Sequence, residues 1–284
     1  MARVSGSDVQ RWAAFSSDPA GGNPAGVLLD ARGLDDADML RIATEVGYSE
    51  TAFVTPTGDP ARRGIRFFSP NAEVPFCGHA TVASAASIAE EQGDGTIAFT
   101  TPVGVVEIET VTGPDGRRVS FTSVAPEVEP LTGRALDDVL STVGLGLGDL
   151  HPDHAPAIAF AGNRHPLVVL ADRATFDDFT IDRARARAVL DAHGWPATIG
   201  MLWPESPELW HARHVFPVGG IVEDPATGAG AAATGGYLRE TGALRAPAHA
   251  VILQGRHVGR PSELSVAIPM TGGIVVSGAA VRLD

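Results

Sequence analysis

Residues 73–93, EVPFCGHATVASAASIAEEQG, decide the fold of this chain. A short turn that contains Pro75, Gly78 and His79 leads directly into an alanine-rich segment. That segment is apolar on nearly all sides, and a helix without a polar face is a buried helix. Its N-terminus offers N–H groups and a positive dipole, which suit a carboxylate or a phosphate. The stretch therefore predicts a buried helix over residues 79–92 whose first turn faces a ligand.

The same pattern occurs a second time along the chain. Residues 223–242 read EDPATGAGAAATGGYLRETG and share the E-x-P-x-x-G pattern of residues 73–78. An alanine-rich segment again follows, which predicts a second buried helix over residues 229–241. A repeated unit of this kind indicates internal duplication. The alternative is a chance similarity in a chain that is rich in alanine and glycine.

The composition bounds the class of protein. A chain of 284 residues forms one large domain or two of ordinary size. The net charge of −13 argues against nucleic acid and against anionic membrane surfaces as partners. No apolar run approaches the ~20 residues of a membrane span, and the first fifteen residues lack a hydrophobic signal region. With a single cysteine no internal disulfide can form. These features predict a soluble, cytoplasmic protein.

The chain contains no lysine, since all 21 basic residues are arginine. Pyridoxal phosphate enzymes and Schiff-base aldolases need a lysine amine. The phosphate-binding P-loop also requires one. All three classes are therefore excluded.

Strand patterns outnumber helix patterns and do not alternate regularly with them, which favours an α+β fold over a doubly wound sheet. Outside the two alanine-rich segments, a helix capped by Asp35 or Asp36 should end at Gly47, and further helix patterns occupy 135–144 and 181–193. The proline-rich residues 123–134 are the predicted boundary. They divide the chain into halves 1–125 and 126–284.

Glu50 is the first candidate catalytic residue. In a strand over residues 48–54 it shares one face with Tyr48, Ala52 and Val54. A buried carboxylate in such surroundings could exchange a proton near neutral pH. A solvent-facing strand end is the alternative, and the alternation does not decide between them.

Three further side chains in the two turns have a functional and a structural interpretation. Cys77 precedes a helix, where a thiolate is favoured, although a small buried hydrophobe is the simpler interpretation. His79 could bond a ligand or serve only to hold the turn. Asp224 occupies the second turn, where it could act on a ligand or complement the helix dipole.

Two further motifs are only weak evidence for a ligand site. The GxGxxA pattern over residues 228–233 lacks the βαβ context of a dinucleotide site. The His-x-x-His pairs at 151–154 and 211–214 bring no third ligand in sequence, so no metal is expected.

Taken in order along the chain, five motifs resemble the PhzF-like family of phenazine-biosynthesis proteins, which has the diaminopimelate-epimerase fold. They are GGNPAGV at 21–27, SETAFV at 49–54, FFSPNAEVPFCGHATVA at 67–83, EDPATG at 223–228 and QGRHVGRPS at 254–262. The resemblance implies two pseudo-symmetric halves. Each half is a curved sheet or barrel wrapped around a buried central helix, and the helix N-termini face each other across a cleft. The last strand would cross back to the first half.

The resemblance also implies roles for single residues. Glu50 matches the family's general acid/base, and His79 and Asp224 match its other catalytic positions. Substrate contacts fall at the first turns of the two helices: Gly78, Ala80, Gly228, Ala229 and Gly230. Family members often have serine where this chain has Ala229, which leaves the substrate open.

The cysteine count separates activities within the fold. Racemases and epimerases of the wider superfamily use two thiols, and this chain has only Cys77. The resemblance therefore implies a cofactor-independent isomerase in which Glu50 moves a proton between carbons of a small carboxylate-bearing metabolite. It also implies a homodimer. The alternative is a catalytically silent member that binds or senses a ligand.

Overall fold

The computed structural model describes residues 4–114 and 116–283, which form a mixed α/β structure. The α-helices are α1 (Asp36–Val46), α2 (Gly78–Gln92), α3 (Gly133–Ser141), α4 (Arg173–Asp178), α5 (Arg183–His193) and α6 (Gly228–Glu240). The strands are β1 (Gln10–Ala14), β2 (Asn23–Leu28), β3 (Thr51–Pro56), β4 (Arg62–Phe68), β5 (Glu73–Val74), β6 (Gly95–Thr101), β7 (Gly104–Gly113), β8 (Gly116–Thr122), β9 (Glu127–Pro130), β10 (Ala157–Phe160), β11 (Arg164–Val169), β12 (Ile199–Pro204), β13 (Leu209–Val215), β14 (Glu223–Asp224), β15 (Ala248–Gln254), β16 (Ser262–Ile268) and β17 (Val275–Leu283).

The first compact unit contains the described residues through Phe121 and those from Ser277 onward. Eight of its strands pair in a closed ring, in the order β17, β1, β2, β3, β4, β6, β7 and β8, and β8 pairs again with β17. The ring is a barrel, and the strand that closes it comes from the C-terminal end of the chain. Closure leaves this sheet without an exposed edge.

Helix α2 is buried without interruption from His79 to Ala89 and packs against β1, β2, β3 and β7. The small alanine side chains allow this close packing. The buried threonine and serine hydroxyl groups have hydrogen-bond partners. The Thr81 and Ser84 hydroxyls donate to carbonyls one turn earlier, at 2.7 Å each. The helix ends at Gly93, whose φ of 88° suits glycine.

The second compact unit, Thr122–Val276, has its own buried helix. Its strands pair in the order β9, β10, β11, β12, β13, β15 and β16. Helix α6 packs against β9, β10, β11 and β16. A Cβ at Gly235 would lie 2.7 Å from Val266, and a Cβ at Gly236 would lie 2.5 Å from Pro126. These glycines therefore let the strands and the chain before β9 approach the helix closely.

Among the helices that the structure describes, α2 and α6 are the most extensively buried, as the sequence predicts. The two units also repeat one series of pairings. A parallel pair (β2 with β3, β11 with β12) leads into a hairpin (β3 with β4, β12 with β13). After the buried helix, the next strand pairs in parallel with the second strand of that hairpin (β6 with β4, β15 with β13). The same strand then begins a second hairpin (β6 with β7, β15 with β16).

Several predicted boundaries differ from the structure. The predicted boundary segment 123–134 contains β9, which pairs with β10. Pro126 precedes the strand and Pro130 is its last residue, positions where the loss of one N–H donor is tolerated. The predicted strand 48–54 begins only at Thr51. The sequence did not predict α4, because a helix of six residues is too short to show a clear helical period.

None of the described helices combines the length and the hydropathy that crossing a bilayer requires.

Candidate functional site

The Glu50 side chain is buried immediately before β3, with 5% of its surface exposed. Its backbone carbonyl accepts a hydrogen bond from the Gly26 N–H at 3.2 Å, which ties the residue to β2. The solvent-facing alternative is therefore wrong, and a carboxylate is held inside the barrel unit.

Glu50, Cys77 and His79 lie together in the first unit. The His79 Nε2 is 3.4 Å from the Glu50 Oε2. The Cys77 Sγ is 3.4 Å from the His79 Nδ1 and 3.7 Å from its Nε2. We call this set of three side chains the acid–thiol–imidazole cluster. The β2–β3 pairing places the carboxylate, and the turn into α2 places the other two groups.

The Glu50 Oε2 is buried and makes no hydrogen bond within the described chain, since its contact with His79 lacks hydrogen-bond geometry. A buried acceptor without a partner is uncommon and has a free-energy cost. Burial lowers the pKa of His79, while the nearby Glu50 charge opposes that shift. The imidazole is therefore neutral near pH 7, and the carboxylate oxygen is available to a ligand proton.

Asp224 lies in a hydrogen-bonded network in the second unit. Its Oδ2 accepts a hydrogen bond from the Thr227 hydroxyl at 2.6 Å. The Gln254 amide donates to the Asp224 carbonyl at 2.7 Å and to the Thr227 hydroxyl at 2.9 Å, and its oxygen accepts from the Thr227 N–H at 3.1 Å. The QGRHVGRPS motif thus supplies the side chain that holds the EDPATG turn in place, a role that the sequence did not predict.

The predicted substrate-contact residues have different surroundings. Gly78 starts α2, and a Cβ there would meet only Phe76, at 3.9 Å. Ala80 is completely buried, and Ala229 is half-buried next to Gly228, where α6 begins. A Cβ at Gly230 would lie 2.4 Å from the His214 ring, so close packing already requires glycine there.

The two His-x-x-His pairs do not form metal sites with a third acidic, thiol or imidazole ligand anywhere in the described chain. His211 and His214 are three residues apart on β13, which places them on opposite faces of the strand. The His211 Nε2 lies 2.7 Å from Glu205. The His214 Nδ1 lies 2.7 Å from the Thr198 hydroxyl, whose other neighbour is the His165 Nδ1 at 2.9 Å.

This His165–Thr198–His214 chain predicts an acid-sensitive stability. Burial lowers the pKa of His165 to about 4 and that of His214 to about 3. Their contribution to stability is complete above the ordinary pKa of ~6.5. It declines below that pH because the unfolded chain binds protons that the folded chain does not bind.

We expect the free energy of unfolding to fall between pH 6.5 and 5, by up to about 1.4 kcal/mol per pH unit for each histidine. Urea denaturation across this range measures the slope. His165→Gln should reduce it, whereas His249→Gln, a change at an exposed histidine, should leave it unchanged. Equal slopes in all three proteins would contradict the prediction.

Comparisons with known proteins agree with this fold. The family model described as phenazine biosynthesis-like protein, PhzC-PhzF, matches residues 12–283. A Bacillus subtilis protein named an uncharacterized isomerase, YfhB, is 31% identical over 96% of both chains. The trans-2,3-dihydro-3-hydroxyanthranilate isomerase of Pseudomonas chlororaphis is 30% identical over 88% of this chain and 86% of its own.

Solved structures have the same fold. A predicted epimerase of Pseudomonas aeruginosa superposes with a TM-score of 0.85 at 26% identity, over 97% of this chain and 96% of its own. A probable proline racemase of Agrobacterium radiobacter shares the fold alone, with a TM-score of 0.60 at 13% identity over 97% of this chain and 91% of its own. Family model, relatives and structures agree along almost the whole chain, which belongs to the PhzC-PhzF family of phenazine biosynthesis-like proteins.

Proposed function

We propose that the protein is a cofactor-independent isomerase that moves a proton between two carbons of a small carboxylate-bearing metabolite. Glu50 is the general acid/base. The observation that carries this proposal is the buried Glu50 Oε2, which has no hydrogen-bond partner in the described chain and lies 3.4 Å from a neutral imidazole. Relatives named isomerases and epimerases support the same reaction class.

The proposed reaction is a proton transfer without net oxidation. Glu50 accepts a proton from a substrate carbon, and the C–H electron pair enters a conjugated system. The protonated carboxyl group then delivers the proton to another carbon of that system. His79 hydrogen-bonds the substrate as a neutral imidazole. The N–H groups that begin α2 at Gly78 and Ala80 stabilise a substrate carboxylate.

The proposal also assigns ligand-binding roles to residues of the second unit. Asp224 is 6% exposed, and its turn is held rigid by Thr227 and Gln254. We assign to Asp224 the polarisation of a polar ligand substituent. The N–H groups at the start of α6, from Gly228 to Gly230, are assigned to an anionic group. At Ala229 the side chain offers no hydroxyl, so this turn binds through its backbone.

The repeated series of strand pairings in the two units supports the duplication that the E-x-P-x-x-G repeat suggests. We propose two pseudo-symmetric halves, each with its buried helix at the centre of its sheet. The division into residues 1–125 and 126–284 belongs to the same proposal. So do the homodimer and the cytoplasmic location.

Deuterium uptake tests the function directly. The protein is incubated in D₂O with a panel of small carboxylates, beginning with trans-2,3-dihydro-3-hydroxyanthranilate because a relative is named for that compound. Uptake at a non-exchanging carbon position, followed by NMR, supports the isomerase. Binding by several panel members without uptake in any of them would favour the silent, ligand-binding alternative, which the missing hydroxyl at Ala229 also favours.

Cys77 is expected to be dispensable for proton transfer. No second cysteine exists to form a two-thiol site, and the proposed base is Glu50. The Cys77→Ala variant should retain deuterium uptake within about tenfold of the parent, which is less than the ~10²–10⁴-fold contribution of an acid/base group. A loss as large as that of Glu50→Gln would identify the thiol as the working base.

A further inference from the structure

The acid–thiol–imidazole cluster brings together three kinds of metal ligand. A carboxylate, a thiol and an imidazole each offer one donor atom, and these atoms lie within 4.8 Å of one another. The proposed isomerisation assigns roles to Glu50 and His79 but none to the Cys77 thiol.

Two of the three donor–donor distances match those around a tetrahedral ion. Zinc–ligand bonds of ~2.3 Å to sulfur, ~2.05 Å to nitrogen and ~2.1 Å to oxygen give tetrahedral edges of about 3.6 Å for S···N and about 3.4 Å for N···O. The Cys77 Sγ lies 3.7 Å from the His79 Nε2, and that nitrogen lies 3.4 Å from the Glu50 Oε2. The Sγ also lies 3.4 Å from the His79 Nδ1, so the imidazole ring must rotate before its Nε2 and the sulfur can bind one ion. The donor atoms of all three residues lie within 4.8 Å of one another, which keeps the carboxylate within reach of that ion.

Charge balance supports the same conclusion. A divalent ion bound by one thiolate, one carboxylate and one neutral imidazole forms a unit without net charge, which a buried site tolerates. On binding, the thiol releases its proton to solvent while the sulfur–metal bond forms. The buried Glu50 Oε2, without a hydrogen-bond partner in the described chain, would gain a partner in the ion.

We propose that Glu50, Cys77 and His79 bind a thiophilic divalent cation such as Zn²⁺, which blocks proton transfer by occupying the Glu50 carboxylate. The blocking effect rests on the proposed function, whereas the binding does not. The sequence predicts no metal site because the ligands come from two separate segments and follow no His-x-x-His spacing.

Cobalt titration of the full, reduced chain tests the binding. A thiolate bound to Co²⁺ gives a near-ultraviolet charge-transfer band, and with one cysteine in the chain the band reports on Cys77 alone. We expect the band to saturate at one equivalent and to decline when Zn²⁺ is added. Absence of the band in the parent protein would overturn the proposal without reference to any variant.

Variants test the other two ligands. Glu50→Gln and His79→Gln should each keep the band but weaken Co²⁺ binding at least tenfold, since even outer-shell changes cost ~10–100-fold. His154→Gln, a change at a histidine outside the cluster, should leave both the band and the affinity unchanged. Undiminished affinity in both cluster variants would reduce the site to a lone thiol and overturn the proposal. Circular dichroism establishes that each variant is folded.

The blocking effect is measured as deuterium uptake with and without Zn²⁺, each rate divided by the same protein's zinc-free rate. The parent should lose uptake and recover it with EDTA, and Cys77→Ser should resist Zn²⁺. If uptake is absent without zinc, the proposed function fails while the cobalt titration still decides the binding. If cobalt binds and zinc leaves uptake unchanged, the blocking role is overturned.

Discussion

Replacing Glu50 with glutamine is expected to abolish deuterium uptake into the substrate while leaving ligand binding largely intact. Glutamine keeps the size and hydrogen-bonding shape of the side chain but cannot accept and return a proton. General acid/base groups contribute ~10²–10⁴-fold to rate. Because Glu50 is the only proposed proton carrier, the loss should reach or exceed the top of that range.

The same substitution at an exposed position is the matched control. Glu107→Gln changes an exposed carboxylate on β7 and should leave uptake unchanged. A Glu50→Gln variant that raises KM and preserves kcat would identify Glu50 as a binding residue. Equal uptake in the parent and in Glu50→Gln would remove Glu50 as the base, and Cys77 or Asp224 would have to take its place.

The features that depend on local sequence could be predicted well. The apolar circumference of α2 predicted its burial, and Gly93 ends it as expected. Asp35 caps α1 by accepting from the Asp38 N–H at 2.9 Å, and Gly47 ends that helix with a φ of 74°. Caps and helix ends are decided within a few residues, so a single sequence contains the information.

Contacts between distant strands could not be predicted in the same way. Alternation left the burial of Glu50 undecided, because the contacts that surround it, with Gly26 and with His79, are distant in sequence. The His165–Thr198–His214 chain joins three separate segments and follows no recognised spacing. The contact between Gln254 and the Thr227 turn is equally nonlocal. The roles of Glu50, His79 and Asp224 came from the family resemblance and stay predictions until variants are tested.

The glutamate of the E-x-P-x-x-G repeat has a structural partner in each unit. In the first unit Arg66 bonds both Glu73 oxygens, at 2.7 Å each. In the second unit Arg213 bonds Glu223 at 2.6 and 3.1 Å. The arginine lies on the strand before the turn in both units, so each ion pair fixes the turn that precedes a buried helix.

The Arg213→Met variant is expected to lower the free energy of unfolding by about 3–5 kcal/mol, the usual result of removing one partner from a buried ion pair. The side chains of Arg213 and Glu223 are only 7% and 8% exposed. The guanidinium also donates to the carbonyls of Phe176, Asp177 and Phe179 at 3.0–3.3 Å. Methionine would leave a buried carboxylate and these carbonyls without their donor. Urea denaturation measures the loss as a lower midpoint at unchanged slope.

Arg66→Met is the matched control, because its ion pair has the same bidentate geometry but is 35% and 34% exposed. Solvent screening limits such pairs to about 1 kcal/mol or less. Equal losses in the two variants would show that burial does not decide the cost. The double variant Arg213→Met/Glu223→Gln separates charge from packing: if the uncompensated carboxylate causes the loss, removing its charge should make the double variant more stable than Arg213→Met alone.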